Sequence, residues 1–237
     1  MRNKLAMALC LISMVGICEV GIGGNQDRTS APVGDEDGFF GTTSGSWEPE
    51  AAAGFPAPVE KTGQKISYGA RDDGMLRKGV AWPKPRFKDN ENGTVTDKLT
   101  GLIWLKDACC GKFWATDATG QNARNWDSAL TAAKKLESGA CELTDGSVAG
   151  NWRLPNKKEL ESLIHIGFYN PALPNRAGTG KWTDGNPFSG VQSYYYWLSS
   201  TVAFNTVYVW VADLGSGFVG YNEKGSTFFV WPVRGGQ

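Results

Sequence analysis

The residues able to do chemistry fall into three sets: a group of cysteines, one histidine, and a polar and aromatic run late in the chain. Outside the N-terminal apolar run, which holds Cys10 and Cys18, the cysteines are Cys109, Cys110 and Cys141. In an oxidising compartment two of these three should pair. Cys141 must be one partner, because adjacent cysteines rarely bridge each other, and Cys109 and Cys110 both stay open as the other. Closing a loop of about 31 residues would stabilise the fold by roughly 3–4 kcal/mol on the chain-entropy model. Three thiols without a nearby histidine fit a zinc site poorly, so no metal ligands are assigned. His165 is the single imidazole, which excludes any scheme needing two. Ser199-Ser200-Thr201 therefore lacks a credible base for nucleophilic catalysis. The third set is Arg176, Lys181, Trp182, Asp184, Tyr194 and Tyr195, within residues 168–195. Exposed rings stack on sugar faces, and Arg or Lys pairs with sulfate or carboxylate, so these six are candidate ligand-binding residues. The competing reading is that Trp182 and the tyrosines only pin this stretch to the core.

The elements that must position these residues are short. Residues 168–195 have little periodicity and repeated Gly and Pro, which predicts a long irregular loop of the kind that often carries function. Ahead of it, Trp152 and Leu154 alternate with a charge as in a half-buried strand, and Pro155 stops that strand. Asn156 can cap the helix from Lys157 to about Ile166, with Glu159 placed to complete a capping box. Leu160, Leu163 and Ile164 give this helix its buried face and leave His165 on the far side, in a structural role. An earlier helix runs from Trp126 to Ser138, capped by Asn125 and ended by Gly139. Strands are expected at Thr94–Asp97, Leu102–Leu105, Tyr196–Ser199, Val207–Asp213, Phe218–Asn222 and Phe228–Arg234. Asp89 to Gly93 is a turn. Read as a calcium loop with Gly93 sixth, it would put Lys88 in the first ligand position.

The whole chain balances 24 basic against 24 acidic residues, so nothing points to bulk attraction to nucleic acid or to an anionic membrane. Arg2 and Lys4 precede an apolar run from Leu5 to Cys18, the length of a signal-peptide core and short for a membrane span. Residues 1–24 are thus expected to be a signal peptide, with no transmembrane span in the mature protein. Cys18 invites lipidation after Val15-Gly16, but Ile17 sits where a small residue is required. Residues 25–60 are expected to form a flexible low-complexity tether, and 61–85 an ordered N-terminal extension anchored by Trp82. The compact domain spans 86–237, with 15 basic and 14 acidic residues for a net of +1. A polyanion would therefore need a locally clustered patch.

Five motifs occur in order: Asn92-Gly93-Thr94-Val95-Thr96-Asp97, Leu99-Thr100-Gly101-Leu102-Ile103-Trp104, Trp152-Arg153-Leu154-Pro155-Asn156, Tyr196-Trp197-Leu198-Ser199-Ser200, and Val230-Trp231-Pro232-Val233-Arg234-Gly235-Gly236. Together they resemble the bacterial family of unknown function named for the C-terminal domain of the Legionella collagen-like adhesin, Lcl. The resemblance covers about residues 86–237. It implies an α+β, C-type lectin-like fold, with two helices packed on a twisted antiparallel sheet and a long irregular loop region. In such a fold the first and last strands pair. It also implies Cys110 as the partner of Cys141, since family members usually carry a single cysteine after the Asp-Ala of the run Leu105-Lys106-Asp107-Ala108. The named adhesin binds sulfated polysaccharide through this domain, and the family brings no catalytic residues with it.

The expected function is an exported, non-catalytic binding or adhesion module that recognises an extracellular glycan or a surface protein through the long loop. Its location would be periplasmic, cell-surface or secreted. No cofactor is expected; calcium would be admissible, but the chain has no Glu-Pro-Asn, Gln-Pro-Asp or Trp-Asn-Asp triplet. One alternative is a structural subunit of a surface assembly. Another is a relative of formylglycine-generating enzymes, which share the Arg-Leu-Pro corner but act through C-terminal cysteines, and here no cysteine follows Cys141.

Overall fold

The computed structural model describes residues 59–110 and 123–235. The signal peptide and nearly all of the tether expected from the sequence lie outside the described residues.

The chain folds as α+β around two mostly antiparallel sheets instead of the single sheet expected. The first sheet contains β1 (Phe87–Asp89), β2 (Thr94–Asp97), β3 (Ile103–Leu105) and, from the far end of the chain, β9 (Val233–Arg234), in that order. Gly93 closes the β1–β2 turn at φ +81°, and a Cβ there would lie 2.6 Å from the Glu142 carbonyl oxygen, so only glycine fits. The last strand joins this sheet through β3, with Ile103 opposite Arg234, and not through the first strand. The outer edge of β1 is taken instead by the late loop, where the Phe87 N–H donates to the Arg176 carbonyl at 3.1 Å.

The second sheet has the order β4 (Ala123–Arg124), β8 (Phe228–Phe229), β5 (Tyr195–Thr201), β6 (Tyr208–Asp213), β7 (Phe218–Glu223). The stretch from Phe228 to Arg234, expected as one strand, is two. Pro232 has no N–H for a ladder, and the buried Trp231 between β8 and β9 carries the chain from one sheet to the other. Its indole N–H donates to the Leu105 carbonyl at 2.8 Å. Trp197 and Trp152 are likewise fully buried and satisfied, by the Arg124 carbonyl at 2.6 Å and the Ser147 hydroxyl at 3.0 Å. Each indole thus contributes apolar burial of about 2–3 kcal/mol without stranding its polar end.

Helix α2 (Trp126–Lys135) is capped by Asn125, whose side chain accepts the Ser128 N–H. It buries Ala129, Ala132 and Ala133 and stops at Leu136, short of Gly139. The corner at residues 152–156 forms as its sequence dictates. Arg153 pairs with Val233 through both backbone groups, Asn156 and Glu159 form the complete capping box, and the Arg153 guanidinium grips Glu159 at 2.6 and 2.7 Å. Helix α3 (Lys157–Glu161) is shorter than expected because the following turns tighten to i→i+3 bonds, Leu163 N to Leu160 O and Ile164 N to Glu161 O. That tightening swings His165 off the helix and into the interior, where it is 2% exposed and not on the far side of a helix.

Cys110 and Cys141 form the disulfide, with Cα atoms 5.7 Å apart. Cys109 is half-buried and stands outside the bridge. No helix among the described residues is long and apolar enough to cross a membrane.

Candidate functional site

Ahead of β1, residues 59–85 form an arm held to the rest by a few specific contacts. A short helix, α1 (Asp73–Leu76), is capped by Asp72, which accepts from Met75 at 2.9 Å and from Tyr68 at 2.6 Å. The Tyr68 hydrogen bond, ahead of the others, holds the Asp72 carboxyl below its usual range. Lys61 and Val80 pair across the base of the arm, and the Trp82 indole donates to the Lys61 carbonyl at 3.0 Å. The Ile166 N–H donates to the Thr62 carbonyl at 3.0 Å, tying the arm to the segment after α3.

His165 is the pivot of this junction. Its ring stacks on Phe168 at 4.0 Å and meets the edge of Trp82 at 5.0 Å. Gly63 passes so close that an added Cβ would lie 2.5 Å from Nε2, and its φ of +88° also demands glycine. Nδ1 accepts the Gly167 N–H at 3.0 Å, which leaves the proton of the neutral ring on Nε2. Burial first, then the nearby Lys65 charge, drives its pKa from 6.5 down to about 4.

Beneath Trp82 lies Arg86, fully buried, with its guanidinium 4.3 Å from the indole centroid. It holds Asp97 in a two-point pair at 3.1 and 2.8 Å and donates to the Ser162 carbonyl at 2.7 Å. Arg86 therefore ties the arm, the first sheet and the end of α3 together.

Two clefts open where the arm meets the segment after α3. The first, about 320 Å³, is lined by Lys61, Lys65, Arg77 and Lys84, with Trp82 and His165 forming part of its wall. Asp73 also lines it, but its carboxylate accepts the Thr62 hydroxyl. The Arg77 guanidinium is steered by the carbonyls of Gly74 and Lys65 at 2.9 and 2.7 Å. The second cleft, about 810 Å³, adjoins the first and shares Gly63, Gln64, Lys65, His165 and Thr179 with it.

The six loop residues expected to bind ligand do not converge on one place. Lys181 lies 5.5 Å from the ring of Tyr169, at the edge of the second cleft. Trp182 is half-buried against the core and its indole N–H donates to the Phe188 carbonyl at 3.1 Å, so it pins the loop. Arg176 and Asp184 sit exposed in the loop. The Arg176 N–H donates to the Asn186 side chain, and Asp184 accepts the Gly190 N–H at 2.9 Å. Tyr194 and Tyr195 pack beside each other at 5.2 Å, by the start of β5 and next to Phe228.

Residues 93–234 match the Lcl C-terminal domain family, well over half of the chain. The chain belongs to that family. No curated protein matches it. The match sets the cleft in a particular relation to the Lcl C-terminal domain. Lys61, Lys65, Arg77, Trp82 and Lys84 all precede the matched segment, whereas His165, Gly178 and Thr179 lie within it. One wall is thus family scaffold and the other is supplied by the arm. The arm's cations were missed by counting charge only from Arg86 onward. The available signal was that residues 59–85 hold six basic residues against three acidic ones.

Proposed function

We propose that this protein is an exported, non-catalytic binding module that holds an anionic glycan in the cleft between its arm and the segment after α3. The carrying observation is the convergence of Lys61, Lys65, Arg77 and Lys84 on one concave surface, where they outnumber its one acid, Asp73. A cleft lined by four cations against one carboxylate carries a net positive field, and ammonium groups pair with sulfate or carboxylate. Trp82 offers a ring beside them. Export is supported by the N-terminal apolar run and by the Cys110–Cys141 disulfide, which suits an oxidising compartment. A C-type lectin-like architecture is supported by the long loop and by the last strand's return to the first sheet, although it pairs there with β3 and not with β1. Against an enzyme, the single histidine is locked in a ring stack, and the Ser200 hydroxyl accepts the Lys157 N–H that opens α3. The reading requires no cofactor.

The test is calorimetric titration of a heparin-derived sulfated oligosaccharide into the full chain at rising salt, with calcium and again with chelator. Replacing Lys61, Lys65 and Lys84 together by alanine should weaken binding by roughly tenfold or more, and salt should weaken the native protein similarly. Unchanged affinity in the triple variant would count against the cleft.

A second reading, a subunit of a surface assembly, is favoured by one feature. Strand β7 is the edge of the second sheet and exposes Phe218 and Tyr221. Concentration-dependent self-association without ligand would support it.

A further inference from the structure

The second cleft differs in character from the first. Its cation is Lys65, shared with the first cleft, and the rest of its wall is largely apolar or aromatic. Ile66 and Tyr68 come from the arm, Ile166 and Tyr169 from the segment after α3, and all four face the same concavity. They are 63%, 81%, 53% and 75% exposed. Single exposed hydrophobics are ordinary on any surface, but four that meet across one concave surface mark a place where apolar matter is held. A hydrophilic saccharide does not account for them. A tyrosine ring can stack on a sugar, but Ile66 and Ile166 offer neither a ring face nor a hydrogen bond. Their complement is an alkyl chain.

The two clefts meet at Gly63, Lys65, His165 and Thr179, so the charged surface runs directly into the apolar one. We infer that together they take an anionic glycolipid, with its sulfated or carboxylated sugar among Lys61, Lys65 and Lys84 and the first part of its alkyl chain against Ile66, Tyr68, Ile166 and Tyr169. The charge of the first cleft selects the headgroup, and the apolar walls of the second add affinity by removing methylenes from water. This inference rests on the anionic-glycan reading above and extends it from headgroup to aglycone.

The test uses monomeric probes, so that avidity plays no part: the methyl and octyl glycosides of galactose 3-sulfate, octyl galactoside, and octyl sulfate, each titrated into the full chain. The octyl sulfated sugar should bind about tenfold or more tighter than its methyl counterpart, and tighter than either octyl control. The variant carrying Ile66→Ser with Tyr169→Ser should lose that gain and still bind the methyl glycoside as the native protein does. Both substitutions are at exposed positions, and an unchanged melting temperature would confirm that the fold survives. Equal affinity for the methyl and octyl sulfated sugars would overturn the inference and leave the anionic-glycan reading standing. Octyl sulfate binding as well as the octyl sulfated sugar would overturn it in favour of a simple fatty anion. Failure of every sulfated probe to bind would overturn both readings.

Discussion

The tryptophan-lined junction of the two sheets and the cleft beside the arm are built on opposite terms. At the junction, Trp104, Trp152, Trp197 and Trp231 are buried, and three of the four indoles find a backbone or hydroxyl acceptor. At the cleft, Lys61, Lys65 and Lys84 line an open concavity, and the aromatic and aliphatic side chains beside them stay largely exposed. Burial with satisfied hydrogen bonds stabilises the first region, whereas the second keeps charge and apolar surface available to a partner. Family membership describes the first region, over residues 93–234, while most of the second region's cations come from outside that span. Scaffold and specificity thus have different sources in this chain.

Arg86 joins the two regions, so removing it should break the contrast most severely. Arg86→Met would leave Asp97 fully buried without its partner, at a cost of about 3–5 kcal/mol. Denaturant unfolding of the full chain measures this. A loss under about 1 kcal/mol would mean that the pair is not what ties the arm to the core.

The contrast can also be sharpened by pH. His165 has its pKa depressed from 6.5 to about 4, by burial first and by the charges of Lys65 and Arg86 besides, while Nδ1 accepts a hydrogen bond that only the neutral ring can take. The unfolded chain therefore binds this proton first as the pH drops. The contribution is fully present above pH 6.5 and is lost as pH falls toward 4, for a total of up to about 3 kcal/mol. In His165→Phe this component should vanish. Its stability relative to the native protein should rise steadily between neutral pH and pH 4. Parallel pH profiles for the two proteins would show that His165 does not titrate in this window.

What the sequence made legible depended on how local the physics was. The corner at residues 152–156 could be read because the cap, the strand stop and the capping-box glutamate lie within eight residues. The start of α2 was readable for the same reason, since Asn125 caps it directly. Strands β1 and β4, of three and two residues, left no periodic signal because pairing partners far along the chain create them. The split of residues 228–234 between sheets likewise follows from where Trp231 packs. The cleft was hidden because its walls lie about a hundred residues apart in sequence, and tertiary contacts such as His165 against Gly63 and Trp82, and Ile166 N–H to the Thr62 carbonyl, bring them together. From sequence the Trp182 ring suits either a ligand or the core, and its N–H bond to the Phe188 carbonyl makes it part of the loop's anchorage.

In the proposed binding mode ligand enters between the arm and the segment after α3, with residues 178–180 at its rim, and not along residues 184–195. Hydrogen exchange of the full chain, with and without the heparin-derived oligosaccharide, tests it most directly. Added protection is expected at residues 61–67, 82–84, 165–169 and 178–180, with residues 184–195 unchanged. Protection confined to residues 184–195, with the arm exchanging as before, would contradict it.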